Sequence, residues 1–434
     1  MLFFAMAAAG MLTACSSDDT LDATTQVLPE LSQEKIQLGV ASSSAVVRGS
    51  GTIGSMDDAT NEWAGQEFWV YMLNKGTMKV AKYADPYGVE SDVYNNMQFT
   101  APSSTASGLA STTNGEICYY PVSGNYDFWG YVVDDAAGQR GQQPTVKMLD
   151  ATGQNTTDEN EAVKRVVDIT IDGTRDIMAG KAEPTADDIS NLGTRADDYF
   201  SAYAARKSVQ PNIKFNHLLT RFTFKVKAGN KATAGNGQNT EAMAVKSIKL
   251  ASLTQGHLTI AHTEDMAVTD LLTFDGTAAT VDEYGVATLN DAVQLGVKQR
   301  TAGSTANDPL EEIDIPVPLT WDDAADKGVE HQIGEALLVA PGETVYPLTI
   351  DLQQNVQTNT SGTTTLHQLQ FKHNLTMGNG QKFEAGKSYE IVITVYGLEK
   401  IDVTATLVPW QDGGKIDIDD DRDPQSQFTG GSSN

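Results

Sequence analysis

The side chains best suited to chemistry here are six histidines, two cysteines and 57 carboxylates, and their spacing assembles little of it. His217, His257, His262, His331, His367 and His373 include no HExxH pair, and no CxxC accompanies them, so a zinc site has no local signature. His257 and His262 are five apart beside an expected hairpin and read as surface residues. Asp417, Asp419 and Asp421 imitate the start of a calcium loop but lack its glycine and its closing bidentate acid. Neither a GxSxG elbow nor a GxxxxGK[ST] phosphate loop occurs. Paired glycosidase acids lie far apart in sequence, and nothing singles out two carboxylates among so many. Trp63, Trp69, Phe128, Trp129 and Trp410 suit a sugar groove, yet their places in strand patterns favour core filling for most. The expectation is a binding protein, not an enzyme, with no cofactor and no metal.

The two cysteines differ in surroundings. Cys118 lies in the apolar run Ile117-Cys118-Tyr119-Tyr120 and reads as a buried thiol. Cys15 follows MLFFAMAAAGMLTA, fourteen residues without a charge. That stretch is too short to span a bilayer and suits the apolar part of a secretory signal. Leu12-Thr13-Ala14-Cys15 resembles the lipobox of bacterial lipoproteins, which implies lipidation of the Cys15 thiol and cleavage just before it. The polar Ser16-Ser17-Asp18-Asp19-Thr20 that follows would begin a tether. With Cys15 acylated, the membrane is reached through the lipid anchor only.

A length of 434 residues favours two domains. A net charge of -27 excludes nucleic acid as a broad partner and suits a self-repelling surface. Strand patterns dominate from residue 36. Ile36, Leu38 and Val40 alternate; Phe68 to Leu73 is apolar on both parities and predicts a strand covered on both faces. Tyr126 to Val133 and Val166 to Ile171 are further strands, whereas 101–115 and 150–160 read as loops. Residues 180–208 fit either short helices or an insertion. Phe215, His217 and Leu219 share one parity and Leu218, Phe222, Phe224 and Val226 the other, which predicts one long strand with a bulge. Val245 to Leu253 and Leu258 to Ile260 are joined through Gln255-Gly256. Pro316 and Pro318 demote 313–319 to an edge strand or extended loop. Ala336 to Ala340, Val345 to Leu352 and Leu366 to Phe371 follow, then Tyr389 to Val395 and Ile401 to Leu407, which read as a hairpin across Gly397-Leu398-Glu399-Lys400. No long amphipathic helix separates these strands, so antiparallel sandwiches are expected. The organisation predicted is a signal over 1–14, a lipidated tether over 15–35, β-sandwiches over 36–210 and 211–411, and an acidic tail over 412–434.

In these features the chain resembles the fimbrillin family of Bacteroidetes, the major and accessory subunits of lipoprotein-derived pili. The resemblance is carried by the lipobox at Cys15, Val46-Val47-Arg48-Gly49, Trp63-Ala64-Gly65 running into Phe68 to Leu73, and the segment Phe215 to Val226. Gly386-Lys387-Ser388-Tyr389 followed by Ile391 to Trp410 completes it. It implies an all-β protein of two transthyretin-like antiparallel β-sandwich domains, exposed on the outer membrane and assembled into a fimbrium. It further implies that an arginine-specific protease cuts between Arg48 and Gly49, that Ile36 to Val47 is then lost, and that a strand of another pilus subunit takes its place. Read from its residues alone, Arg48 is equally an ordinary loop arginine. The first candidate for the donated strand is Ile401, Val403, Ala405 and Leu407, a pattern that an ordinary core strand would also show. An anchor role, or that of a monomeric surface lipoprotein binding a glycan or host protein, stays open.

Overall fold

A computed structural model describes residues 34–42, 67–85, 87–101, 109–133, 143–235, 242–282, 287–299, 310–313, 316–357, 364–377, 380–397 and 400–408. The fold is all-β. Among the described residues, α-helix is confined to Ala186–Leu192 and Ala202–Arg206, so 180–208 holds short helices. Both start at hydroxyl caps: Thr185 forms a capping box with Asp188, and the Ser201 hydroxyl accepts from the Ala204 amide.

A seven-stranded sheet runs in the order Gly39–Ser42, Asn212–His217, Ile177–Lys181, Tyr126–Val133, Glu67–Asn74, Met97–Thr100 and Ser111–Thr112. Its central strands are buried on both faces, as the unbroken apolar run at 68–73 predicts. Phe68, Val70 and Met72 enter one core with Phe128, Ile213 and Phe215. Trp69, Tyr71 and Leu73 enter another, shared with Val167, Ile169, Leu258 and Ile260 of a five-stranded sheet. That second sheet is ordered Leu272–Phe274, Gln255–His262, Ala162–Thr170, Val146–Asp150, Asn155–Thr156.

The second pair of sheets is C-terminal. One is His331–Val339, Thr220–Ala228, Ser388–Gly397, Lys400–Val408; the other is Val293–Gly296, Ala244–Ser252, Val345–Gln357, Thr364–Thr376, with Val317–Pro318 pairing beside Ala244–Ser252. Phe222, Tyr346, Phe383 and Tyr389 meet at the centre of their common core, with ring centroids 5.0–5.8 Å apart. The hairpin Ser388–Gly397 to Lys400–Val408 forms in register from Ser388 opposite Val408 to Val395 opposite Ile401, and a bulge at Tyr396 then brings Gly397 opposite Lys400.

Three expectations change. Phe215 to Val226 is not one bulged strand: Asn212–His217 belongs to the first sheet pair and Thr220–Ala228 to the second, and the change of phase marks the crossing at Leu218-Leu219. Ala244–Ser252 and Gln255–His262 do not pair with each other, because the chain switches sheet pairs between them. The sheets therefore do not divide at residue 211, since 212–217 and 255–274 complete the first pair. Pairing among the described strands is mainly antiparallel, as expected, with two parallel pairs. Gly39–Ser42 runs parallel to Asn212–His217, and Thr220–Ala228 runs parallel to Ser388–Gly397. Each parallel pair joins segments more than 150 residues apart, a separation that leaves strand direction unconstrained by a tight turn.

Candidate functional site

The most distinctive place in the fold is the seat of residues 34–42. Gly39–Ser42 occupies one end of the seven-stranded sheet, and the chain just before it reaches the other end. On one side it lies parallel to Asn212–His217, and the Gly39 amide donates to the Pro211 carbonyl at 2.9 Å. On the other side Lys35 bridges to Tyr119 and Gly39 to Leu109, both antiparallel. The Ile36 amide donates to the Cys118 carbonyl at 3.0 Å, the Tyr120 amide to Glu34 at 2.9 Å and the Ala110 amide to Leu38 at 2.9 Å. Gln210 adds a side-chain clamp, accepting from the Gln37 amide at 3.1 Å and donating to the Lys35 carbonyl at 3.2 Å. One segment thus satisfies the backbone groups of two edges.

Its side chains explain why it stays there. Ile36, Leu38 and Val40 are 5%, 2% and 0% exposed, all turned into the core of Phe68, Phe99, Phe128 and Phe215. Burying each is worth about 1.5–3 kcal/mol. Packing beside them is incomplete. A cavity of about 150 Å³ lies between Ile36, Leu38, Tyr94, Phe99, Thr112 and Cys118. Burial, reinforced by nearby Glu116, pushes the Cys118 thiol up to about 11. Desolvation also raises the Tyr94 and Tyr120 hydroxyls, and the Tyr120 hydroxyl has no hydrogen-bond partner among the described residues.

The predicted site residues divide sharply. Cys15, Arg48 and Gly49 lie outside the described residues. Ile401, Val403, Ala405 and Leu407 lie in Lys400–Val408, the end strand of its sheet, opposite Val395, Ile393, Ile391 and Tyr389. Val403 and Ala405 pack partly buried against the C-terminal core, whereas Leu407 is 58% exposed. These four are some distance along the chain from the seat, and the fold pairs them with their own hairpin. Sequence reading missed the walls of the seat. Leu109 to Thr112 fell in a stretch read as loop, and Gln210-Pro211 carried no strand pattern. Only the apolar Ile117 to Tyr120 signalled one wall. Of the histidines, His257 is exposed and hydrogen-bonds Asp168 at 2.9 Å, while His262 packs on Trp129. Among the described residues, no three His, Cys, Asp or Glu side chains gather as a metal site would need.

No family model matches the chain, and no curated protein does. Among solved structures it is similar to a candidate cell adhesion protein from Parabacteroides distasonis, at 9% identity and a TM-score of 0.35, over 89% of this chain and 99% of that one. A candidate cell adhesion protein from Bacteroides eggerthii is 13% identical with a TM-score of 0.33, over 87% and 96%. A fimbrial protein from Bacteroides ovatus is 10% identical with a TM-score of 0.26, over 84% of this chain and 50% of that one.

Proposed function

We propose that this chain is a structural or accessory subunit of a cell-surface pilus, lipidated at Cys15 and held at the outer membrane until assembly. An arginine-specific protease cuts after Arg48, the leader including residues 36–47 leaves its transthyretin-like sandwich, and a strand of a neighbouring subunit enters the opened seat. The assembled filament contributes to adhesion.

The observation that carries this reading is the seat itself. Residues 34–42 are a short segment at one end of the chain that closes a sheet on two sides and fills its core with three alternate apolar side chains. Their loss would leave two rows of unpaired amides and carbonyls flanking an apolar trough, which a foreign strand of the same alternation satisfies. Lys400–Val408 alternates suitably and is the first donor to examine, with Val403 and Ala405 on one parity of the strand.

The test is treatment of the full chain with an arginine-specific protease, followed by N-terminal sequencing and unboiled SDS gels. The expected result is a new terminus at Gly49 and a ladder of SDS-resistant oligomers that Arg48→Ala does not form. Cleaved protein that stays monomeric at high concentration contradicts the reading.

A further inference from the structure

At the far end of the C-terminal sheets lies a second feature, a cleft of about 650 Å³ lined by Tyr396, Trp321, Asp322, Asp326, Lys227 and Glu330. This is within the range of ligand pockets, about 300–1,000 Å³. Thr220–Ala228 and Ser388–Gly397 leave the junction between the sheet pairs, at the Leu218-Leu219 crossing, side by side and end at the cleft, nine or ten residues on. At about 3.3 Å per residue the cleft is some 30 Å from that junction. It is separate from the seat of residues 34–42 and owes nothing to strand exchange.

The Tyr396 ring is held ready. It lies against Gly229, where an added Cβ would sit 2.6–2.7 Å from three ring carbons. Its backbone is fixed by the Asn230 side chain, which donates to the Tyr396 carbonyl at 2.6 Å, and by the Gly229 amide donating to Val395 at 2.7 Å. Tyr396 as a residue is nonetheless 38% exposed. Opposite it stands the short hairpin Trp321–Asp322 with Lys327–Gly328, jammed against the end of Thr220–Ala228: a Cβ on Gly328 would lie 2.0 Å from the Ala228 carbonyl oxygen. Asp322 accepts from the Ala324 and Ala325 amides at 2.9 and 3.1 Å and so fixes the turn that carries Asp326. Lys227 and Glu330 pair at 3.1 Å.

An aromatic face beside closely mixed donors and acceptors selects one ligand chemistry. The carboxylates and lysines oppose each other, so the wall holds no strong net sign for a simple anion or cation. A hydroxyl donates and accepts at once and can use both kinds of group. The apolar C–H face of a pyranose packs on an aromatic ring as other apolar surfaces do. We propose that this cleft binds neutral hexose units of a glycan, with Tyr396 as the platform and Asp326, Lys227 and Glu330 directed at the hydroxyls. This site would work in the uncleaved monomer.

The test is saturation-transfer NMR on the uncleaved full chain with gluco-, galacto- and manno-configured disaccharides at millimolar concentration, with trilysine as the cationic control. At least one disaccharide should show transfer that Tyr396→Ala abolishes and Tyr396→Phe retains, both variants keeping the wild-type circular dichroism. Asp326→Asn should weaken binding about tenfold. Asp326 sits at a φ of 49°, a conformation asparagine also takes readily, so that variant leaves the turn intact. No transfer from any disaccharide, transfer that survives Tyr396→Ala, or binding of trilysine in place of sugar would each overturn the assignment. Failure of strand exchange leaves these outcomes untouched.

Discussion

At the scale of single residues, Cys118 is the most informative probe of the seat. Its thiol is half-buried beside Ile36 and Leu38, and burial holds it up at about 11, well above an ordinary cysteine. Reaction proceeds through the thiolate, which at neutral pH is then a very small fraction. Because the shift is caused first by desolvation, removing the leader should lower it and open access together. The expected outcome is slow maleimide labelling of the intact chain near pH 7.5 and faster labelling after cleavage at Arg48, followed by mass spectrometry. Equal rates before and after cleavage would mean that the leader does not cover this thiol. Leu38 tests the same place from the other side. Leu38→Ala should destabilise the uncleaved chain by about 2–5 kcal/mol in denaturant unfolding, and should do nothing to protein already cleaved at Arg48.

At the scale of elements, the leader segment is an edge filler whose hold is divided between backbone pairing and three apolar side chains. A synthetic peptide of residues 33–47 should therefore rebind cleaved protein and raise its melting temperature, by mass action. Changing Ile36 and Leu38 to Asp in the peptide should abolish the shift, since backbone pairing alone would have to offset two buried charges. A peptide of residues 399–409 supplied the same way asks whether Lys400–Val408 is a competent donor. The long Thr364–Thr376 edge contrasts with the leader: Leu366 and Leu369 are exposed on it, so it offers pairing groups without an apolar trough.

For the whole molecule, the junction between the two sheet pairs is built like a core. Leu338, from a strand of the C-terminal pair, is fully buried among Leu218, Leu219 and Ile177 of the N-terminal core, and its amide donates to the Gly173 carbonyl at 2.9 Å. Gly173 has a φ of 87°, and a Cβ there would meet Leu337 at 2.5 Å, so both backbone and packing select glycine. Asp176 and His217 hydrogen-bond in the same region, both buried. With apolar and polar groups interlocked in this way, the two sheet pairs should unfold in one calorimetric transition. Leu338→Ala should cost about 2–5 kcal/mol and split that transition in two. Two transitions in the unaltered chain would mean that the junction does not couple them.

How much of this could be read beforehand differs by element. The strand character of Phe68 to Leu73 and its cover on both faces were legible because six consecutive apolar residues leave no face for water. The hairpin from Tyr389 to Leu407 was legible because alternation and a glycine-containing turn are local signals. The leader's alternation at Ile36, Leu38 and Val40 announced a strand but not its partners. Leu109, Gln210 and Pro211 carry no pattern of their own, and they become walls of the seat only because the sheet brings its two ends together. Trp321 and Tyr396 are 75 residues apart and share a cleft solely through the parallel pairing of distant strands. Periodicity is a property of neighbouring residues, so the sequence by itself determined element type, the alternation of the leader and the absence of local catalytic motifs. Which strand crosses to which sheet depends on packing energy summed over residues far apart. That is why the break at Leu218-Leu219, the closed seat of residues 34–42 and the distal cleft were decided only by the tertiary structure.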